Sequence, residues 1–242
     1  MIKIQAHRGA SCERPENTLA AFQRAIELKA DGIELDVYLL SDGTLAVHHD
    51  NKLGRCESPD NNLTDYTAKN IKSFSIGEKF SSQYKSEKVP FLSEVLELIK
   101  DTDMFLNVEL KHADGFLSQV GDKTVELLDK YNMKNRCILS SFHHYFLRDL
   151  KQKYPEYKVG ILYGDLPLGI DLIPYCIENH FDAIHPNFKN LKKETVQKCH
   201  QNGIAVNIWT ADSRADIEKM VKMGVDSVIT NNVVNAIDVI RK

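Results

Sequence analysis

Nowhere does the chain contain a run of roughly 18 apolar residues, the length needed to cross a bilayer as a helix. Its start, Met-Ile-Lys-Ile-Gln-Ala-His, enters a strand-like pattern at once, with neither an apolar leader core nor a cleavage signature, so no export signal is expected. Basic residues are not in excess. Lys and Arg number 31 against 34 Asp and Glu, a net charge of −3, which argues against nucleic acid as the main partner. The five cysteines, at 12, 56, 137, 176 and 199, are odd in number and never spaced Cys-x-x-Cys. Free thiols in a reducing compartment suit that pattern better than a disulfide framework or a zinc site, so a cytoplasmic protein is expected. Also missing is a Gly-x-Gly-x-x-Gly turn after the first strand, which counts against a doubly wound dinucleotide-binding sheet.

What is present is a chain of 242 residues, 43% apolar, able to bury a large core. Short β-branched runs alternate with longer helical patterns, the signature of βα units on a parallel sheet. Strands are expected at Lys3–His7, Gly32–Leu39, Met104–Leu110, Cys137–Ser141, Val159–Tyr163, Ala183–His185, Ala205–Trp209 and Ser227–Thr230. Helical patterns follow most of them: Leu19–Lys29, Ser93–Lys100, Phe116–Tyr131, His143–Lys153, Lys193–Gln201, Asp212–Met223 and Val233–Arg241. Eight such steps in this length predict an α/β protein of the (β/α)8 TIM-barrel class, which typically takes about 250 residues. Residues 51–90 break the rhythm. They are polar, hold one short helical piece near Asp65–Ser73, and are too long for a simple βα loop. One domain, 1–242, with a small insertion after the second strand is therefore expected.

Charged residues fall where a barrel should be apolar. Glu34 and Asp36 in "DGIELDVYLL" are two apart and point to one face of their strand, and Glu109 and Lys111 in "MFLNVELKH" repeat the spacing. Burying an isolated carboxylate costs several kcal/mol unless it is paired or metal-bound, and side-by-side carboxylates repel. An internal salt-bridge network with Lys111 and Arg8 would answer for any single acid. Three acids converging from two strand ends favour a divalent cation instead, and an all-oxygen set suits a hard ion, Mg²⁺ or Ca²⁺, with Mn²⁺ as a third choice. His7, and one of the consecutive His48 and His49, stand near enough for acid–base work, since imidazole titrates near neutrality. Arg8 and Lys111 beside a divalent ion imply a substrate with concentrated negative charge, for which phosphate is the common choice. His185, at a strand end, is equally suited to lining the pocket or to packing. His112, His143, His144, His180 and His200 fall on helical or loop patterns and are expected to be structural.

These motifs, "AHRGAS…PENTLAAF", "GIELDVYLLSDGTLAVHHD", "LNVELK", "IHPN" and "VNIWTA", run in order along nearly the whole chain. Together they resemble the glycerophosphodiester phosphodiesterases. The resemblance implies a (β/α)8 barrel with an insertion after the second strand, His7 and His49 as the acid–base pair, and Glu34, Asp36 and Glu109 as metal ligands. It places Arg8 and Lys111 on the phosphate and makes Trp209 a wall of the substrate pocket. Glu16 and Asn17 of "PENT" either support the site or start the first helix, and capping is the expected role. The implied reaction is metal-dependent hydrolysis of a small-molecule glycerophosphodiester, such as glycerophosphocholine or glycerophosphoethanolamine, to an alcohol and sn-glycerol 3-phosphate. A lysophospholipase D-type activity is the related alternative, for which Phe74, Phe80 and Tyr84 of the insertion offer apolar groups. A non-catalytic phosphate-binding barrel is disfavoured because every acid, base and cation is still present. So is a lysine Schiff-base enzyme, since Lys111 is paired with Glu109. The charged link "SCERPENT" departs from the usual pattern. No oligomeric state follows from the sequence.

Overall fold

A computed structural model describes residues 1–53, 61–111, 117–165 and 170–242. Cys56, His112 and Phe116, all named above, lie outside those residues.

In β1 (Lys3–His7) the period-2 rule separates Ile4 and Ala6, which join the main core, from Gln5 and His7, which do not. The same division runs along β2 (Gly32–Leu39), where Ile33, Leu35 and Val37 enter that core and Glu34 and Asp36 take the opposite face. Further strands follow at Leu45–Val47 (β3), Phe105–Leu110 (β4), Cys137–Ser141 (β5), Val159–Tyr163 (β6), Ala183–Pro186 (β7), Ala205–Ile208 (β8) and Ser227–Thr230 (β9). All but β3 are parallel. They pair in the order β1-β9-β8-β7-β6-β5-β4-β2, and β1 pairs back onto β2 to close an eight-stranded barrel. The fold is a (β/α)8 TIM barrel. The described α-helices are α1 (Leu19–Glu27), α2 (Ala68–Ile71), α3 (Leu92–Ile99), α4 (Leu117–Lys130), α5 (His144–Lys153), α6 (Leu172–Glu178), α7 (Lys193–Gln201), α8 (Arg214–Met223) and α9 (Val233–Ile240). None of the described helices is long and apolar enough to cross a membrane.

Register is what builds the site. Between β1 and β2, His7 stands opposite Glu34; between β2 and β4, Glu34 stands opposite Asn107 and Asp36 opposite Glu109. Three neighbouring strands thus deliver a histidine and three acids to one end of the barrel.

The other end is held by a repeated device. Asp31, Asp182 and Asp226 each lie just before a strand and accept the backbone N–H of Ile4, Val159 and Val206 on the neighbouring strand, at 2.8, 2.8 and 2.7 Å. Arg241, Lys151 and His200 pair with the same three carboxylates. Features at this face of a barrel serve stability rather than chemistry.

The chain after β2 turns back as β3, antiparallel to the last residues of β2. Beyond it, Leu53, Leu63, Tyr66, Ile71, Ile76 and Val89 form a second, smaller apolar cluster on Tyr38, Leu40 and Ala46. Phe74 packs edge-on against Tyr66 within this cluster, while Phe80, half exposed, stands edge-on to Tyr84.

Candidate active site

At the C-terminal ends of the strands opens a cavity of about 250 Å³. His7, Arg8, Glu34, His49, Asn107 and Glu109 line it on one side; Phe142, Leu162, Trp209 and Ile229, with Ser140 and Thr210, supply the rest. Phe74, Phe80 and Tyr84 do not line it, so among the described residues its apolar wall comes from the barrel and not from the 51–90 segment.

The turn after β1 explains "HRG". Arg8 has φ 56° and Gly9 φ 81°, two successive left-handed residues that fold the chain sharply back. A Cβ on Gly9 would come within 2.7 Å of the Ala21 backbone, so glycine is required there. The turn brings the Arg8 N–H to the Glu34 carbonyl and carboxylate, at 2.9 and 3.1 Å.

Glu34, Asp36 and Glu109 each offer a carboxylate oxygen, and the three lie within 4.8 Å of one another. They are 4%, 0% and 7% exposed. Burial, and then the charges of Asp36 and Glu109, raises the Glu34 pKa well above the usual carboxylate range. Burial and the Asp36 charge push Glu109 up to about 7. For Asp36 burial acts in the same sense but loses to Lys111 and Arg8, which hold it ionised below the usual range. Lys111 Nζ lies 3.1 Å from Asp36 Oδ1 and 2.6 Å from Glu109 Oε1; Arg8 Nε lies 3.4 Å from Asp36. The salt-bridge network expected as the alternative is therefore real for Asp36 and Glu109. It does not reach Glu34. Among the described residues no Lys or Arg side chain pairs with Glu34, whose neighbours are the Arg8 N–H and His7 Nε2 at 3.8 Å. Among the described residues, three buried acids against two cations, one of them shared with Glu16, leave negative charge uncompensated. That donor set fits a hard divalent cation.

Of the two consecutive histidines, His49 lines the cavity and donates from Nδ1 to Asp50 Oδ1 at 2.6 Å. His48 is buried, does not line the cavity, and bonds through Nδ1 to the Asp50 carbonyl at 2.9 Å. Burial lowers both pKa values. His7 is pushed down to about 4, first by burial and then by the Arg8 charge, so its imidazole is neutral and able to accept a proton. Trp209 lines the cavity, donates its indole N–H to the His185 carbonyl at 2.8 Å, and stands edge-on to Phe142 with ring centroids 5.7 Å apart.

His185 is the candidate that the structure sets apart. It is fully buried and does not line the cavity. Its Nε2 lies 3.0 Å from Asn207 Nδ2 and presses on Gly160, where an added Cβ would come within 2.4 Å. Burial pushes its pKa to about 3. Alternation along β7 turns it inward, on the face it shares with Asn207, and its side chain is not among those that line the cavity. Asn17 and Glu16 are corrected the other way. Thr18 caps α1, accepting the Ala21 N–H at 3.1 Å. Asn17, with φ 54°, instead donates to Asp36 at 2.8 Å, and Glu16 pairs with Arg8 at 3.0 Å. Asn107, unnoticed in the sequence, lies two residues before Glu109 and could have been found by that spacing. Asn231 bonds His7 across 224 residues of sequence, and no local signal announces it.

Residues 7–235 match the model of the glycerophosphoryl diester phosphodiesterase family. A glycerophosphodiester phosphodiesterase of Caldanaerobacter subterraneus subsp. tengcongensis is 41% identical over 241 residues, covering 99% of this chain and 98% of the relative. Among solved structures, an Oleispira antarctica phosphodiesterase in complex with the product sn-glycerol-3-phosphate superposes with a TM-score of 0.93 at 25% identity, covering 99% of this chain and 97% of the other. The glycerophosphodiester phosphodiesterase of Thermotoga maritima gives 0.82 at 27% identity, covering 100% and 99%. With its barrel, its acidic cluster and its paired histidines at one mouth, the chain belongs to the glycerophosphoryl diester phosphodiesterase family.

Proposed function

We infer that this chain is a phosphodiesterase that hydrolyses glycerophosphodiesters to an alcohol and sn-glycerol 3-phosphate, acting as one domain over residues 1–242. The observation that carries the reading is the buried Glu34, Asp36 and Glu109 cluster, short of positive charge among the described residues, with Glu34 and Glu109 lining the same cavity as His7 and His49. Its Oleispira relative, bound to sn-glycerol 3-phosphate, supports the same substrate class.

Glu34, Asp36 and Glu109 are the residues that would hold a divalent ion, Mg²⁺, Ca²⁺ or Mn²⁺. Such an ion supplies Lewis acidity at a phosphoryl oxygen and offsets charge as the transition state forms. Arg8 and Lys111 add two fixed positive charges toward the phosphate. Neutral His7 takes the proton of the attacking hydroxyl on Nε2. His49, whose Nδ1 faces the Asp50 carboxylate that opposes the lowering of its pKa by burial, delivers a proton to the leaving alcohol oxygen. Free thiols at Cys12, Cys137, Cys176 and Cys199 are in keeping with a cytoplasmic setting.

The test is release of glycerol 3-phosphate from glycerophosphocholine, glycerophosphoethanolamine and glycerophosphoinositol, with and without EDTA. Activity lost on chelation and restored by Mg²⁺, Mn²⁺ or Ca²⁺ is expected. Full activity after exhaustive chelation, with no metal by elemental analysis, overturns the metal site. The apolar wall of Phe142, Leu162, Trp209 and Ile229 favours a second reading, in which acylated glycerol is also accepted. Choline release from lysophosphatidylcholine in the same panel decides it.

A further inference from the structure

Asn231 Oδ1 lies 2.7 Å from His7 Nδ1. An asparagine amide can face either way, presenting an acceptor or a donor, and the two choices assign opposite tautomers to the histidine. Here a third residue decides. Asn231 Nδ2 lies 2.8 Å from Asp212 Oδ2, and a carboxylate only accepts. The amide nitrogen must therefore face Asp212 and the amide oxygen must face His7. Since that oxygen only accepts, His7 carries its proton on Nδ1 and keeps the Nε2 lone pair for the side where Glu34 stands.

Asp212 is itself held from several directions. Its Oδ1 accepts the Asn231 N–H at 2.7 Å and the Thr230 hydroxyl at 3.0 Å, and its carbonyl accepts from Asn235 Nδ2 at 3.0 Å. Ser11 Oγ lies 2.8 Å from Asn231 Oδ1, on the turn that follows His7. These groups converge on one end of the barrel from the end of β9 and from the segment between β8 and α8. The bonds are short and mutually consistent, which is what holds a ring in one orientation.

We propose that Asp212 and Asn231 are positioning residues that fix His7 as its Nδ1–H tautomer, keeping Nε2 free to accept the proton of the attacking group. The inference rests on the phosphodiesterase reading for its catalytic consequence and on hydrogen-bond geometry alone for the tautomer. Neither residue touches the reacting atoms.

Nitrogen NMR of the full chain with ¹⁵N-labelled histidine reads the tautomer directly, His7 being identified by its loss in His7→Gln. Wild-type protein should show a protonated Nδ1 and an unprotonated Nε2. Asp212→Asn keeps the shape but places an amide donor against the Asn231 amide donor. Asn231 then turns over, presents Nδ2 to His7, and the proton moves to Nε2. The turnover number should fall on the order of 10- to 100-fold, with KM changed less than about twofold, because binding groups are untouched. The double variant Asp212→Asn/Asn231→Asp exchanges the two ends of the chain: the new carboxylate accepts from both His7 and the new amide. It should restore the Nδ1–H tautomer and most of the lost kcat. An Nε2–H tautomer in the wild type overturns the proposal, as does an unchanged tautomer in Asp212→Asn. If Asp212→Asn does not fold, the double variant decides: an Nδ1–H tautomer upholds the chain and any other refutes it. Tautomers that respond as stated in a protein inactive on every glycerophosphodiester would refute the functional reading and leave the positioning intact.

Discussion

Asp36 and Glu109 stand opposite one another in register and share the Lys111 ammonium, yet they titrate in opposite directions. The cause is position. Asp36 also has Arg8 at 3.4 Å and the Asn17 amide at 2.8 Å, whereas among the described residues Glu109 has Lys111 alone as a cation and faces an already ionised neighbour. Glu109 therefore holds a proton, with its pKa pushed up to about 7, until the pH rises or a cation arrives.

That relationship predicts how the metal-free protein responds to pH. A carboxyl raised in the folded state binds more protons there than in the unfolded chain, so the Glu109 contribution to stability falls as pH rises between the ordinary carboxylate pKa of about 4.5 and about 7. The buried histidines, whose pKa values are pushed down, contribute in the opposite sense, so the Glu109 effect is read as a difference. In EDTA the thermal midpoint of Glu109→Gln, relative to wild type, should rise across that window, while metal affinity, read by calorimetry, drops at least about 10-fold. Glu34→Gln should behave likewise, since its pKa is raised for the same reasons. A protein that fails to fold after either change would make these carboxylates structural.

The histidines should divide unequally. His7→Ala and His49→Ala each remove a proton carrier from the cavity and should cost at least about 100-fold in kcat. His48 does not line the cavity, so a substitution there should cost much less kcat. Equal losses at 48 and 49 would place the wrong imidazole at the substrate.

Most of the barrel was legible because each strand is a short apolar run flanked by turns, and the eight parallel strands lie within one or two residues of their expected bounds. What escaped has physical causes. β3 is three residues long and is a strand only because β2 extends beyond the barrel to pair with it. Helix α6, "LIPYCIE", carries Pro174 where proline reads as a breaker; within the first turn, where no intrahelical N–H bond is lost, it is tolerated. In the site, the acids and histidines announced themselves as charges on faces that should be apolar. Alternation says which way a side chain points but not how deep in the barrel it lies, so His185 was legible as inward and not as buried. "PENT" offers Asn17 and Thr18 as rival caps, and only the backbone, left-handed at Asn17, assigns the cap to Thr18 and Asn17 to Asp36.

At the far end of the barrel the aspartates predict stability without activity. Asp182→Ala leaves the Val159 N–H without its acceptor and Lys151 without its carboxylate. An unsatisfied buried donor costs about 1–3 kcal/mol, and each kcal/mol lowers the midpoint of a domain this size by about 2–4 °C. Calorimetry should show that loss, with kcat at 25 °C unchanged because the cavity lies at the opposite end.

We predict an intramolecular route of attack on phosphorus, from what the substrate itself brings. A glycerophosphodiester carries a free hydroxyl on the carbon beside its phosphate ester, already within reach of phosphorus. A well-oriented intramolecular group gains effective molarities up to about 10⁵–10⁸ M over an external one. In the first step the hydroxyl oxygen bonds to phosphorus as its proton passes to His7 Nε2. The bond from phosphorus to the alcohol oxygen breaks, and that oxygen takes a proton from His49, leaving a five-membered cyclic phosphate. Water then attacks phosphorus, giving its proton to the now neutral His49. The ring oxygen departs with the proton held on His7, restoring both imidazoles and yielding glycerol 3-phosphate. Substrates lacking the adjacent hydroxyl should therefore bind and turn over poorly, and the cyclic phosphate should itself be hydrolysed to glycerol 3-phosphate. Phosphorus NMR during turnover, run beside a deoxy substrate, measures both. A deoxy compound consumed at the normal rate, with no cyclic species formed or used, would show that water attacks directly.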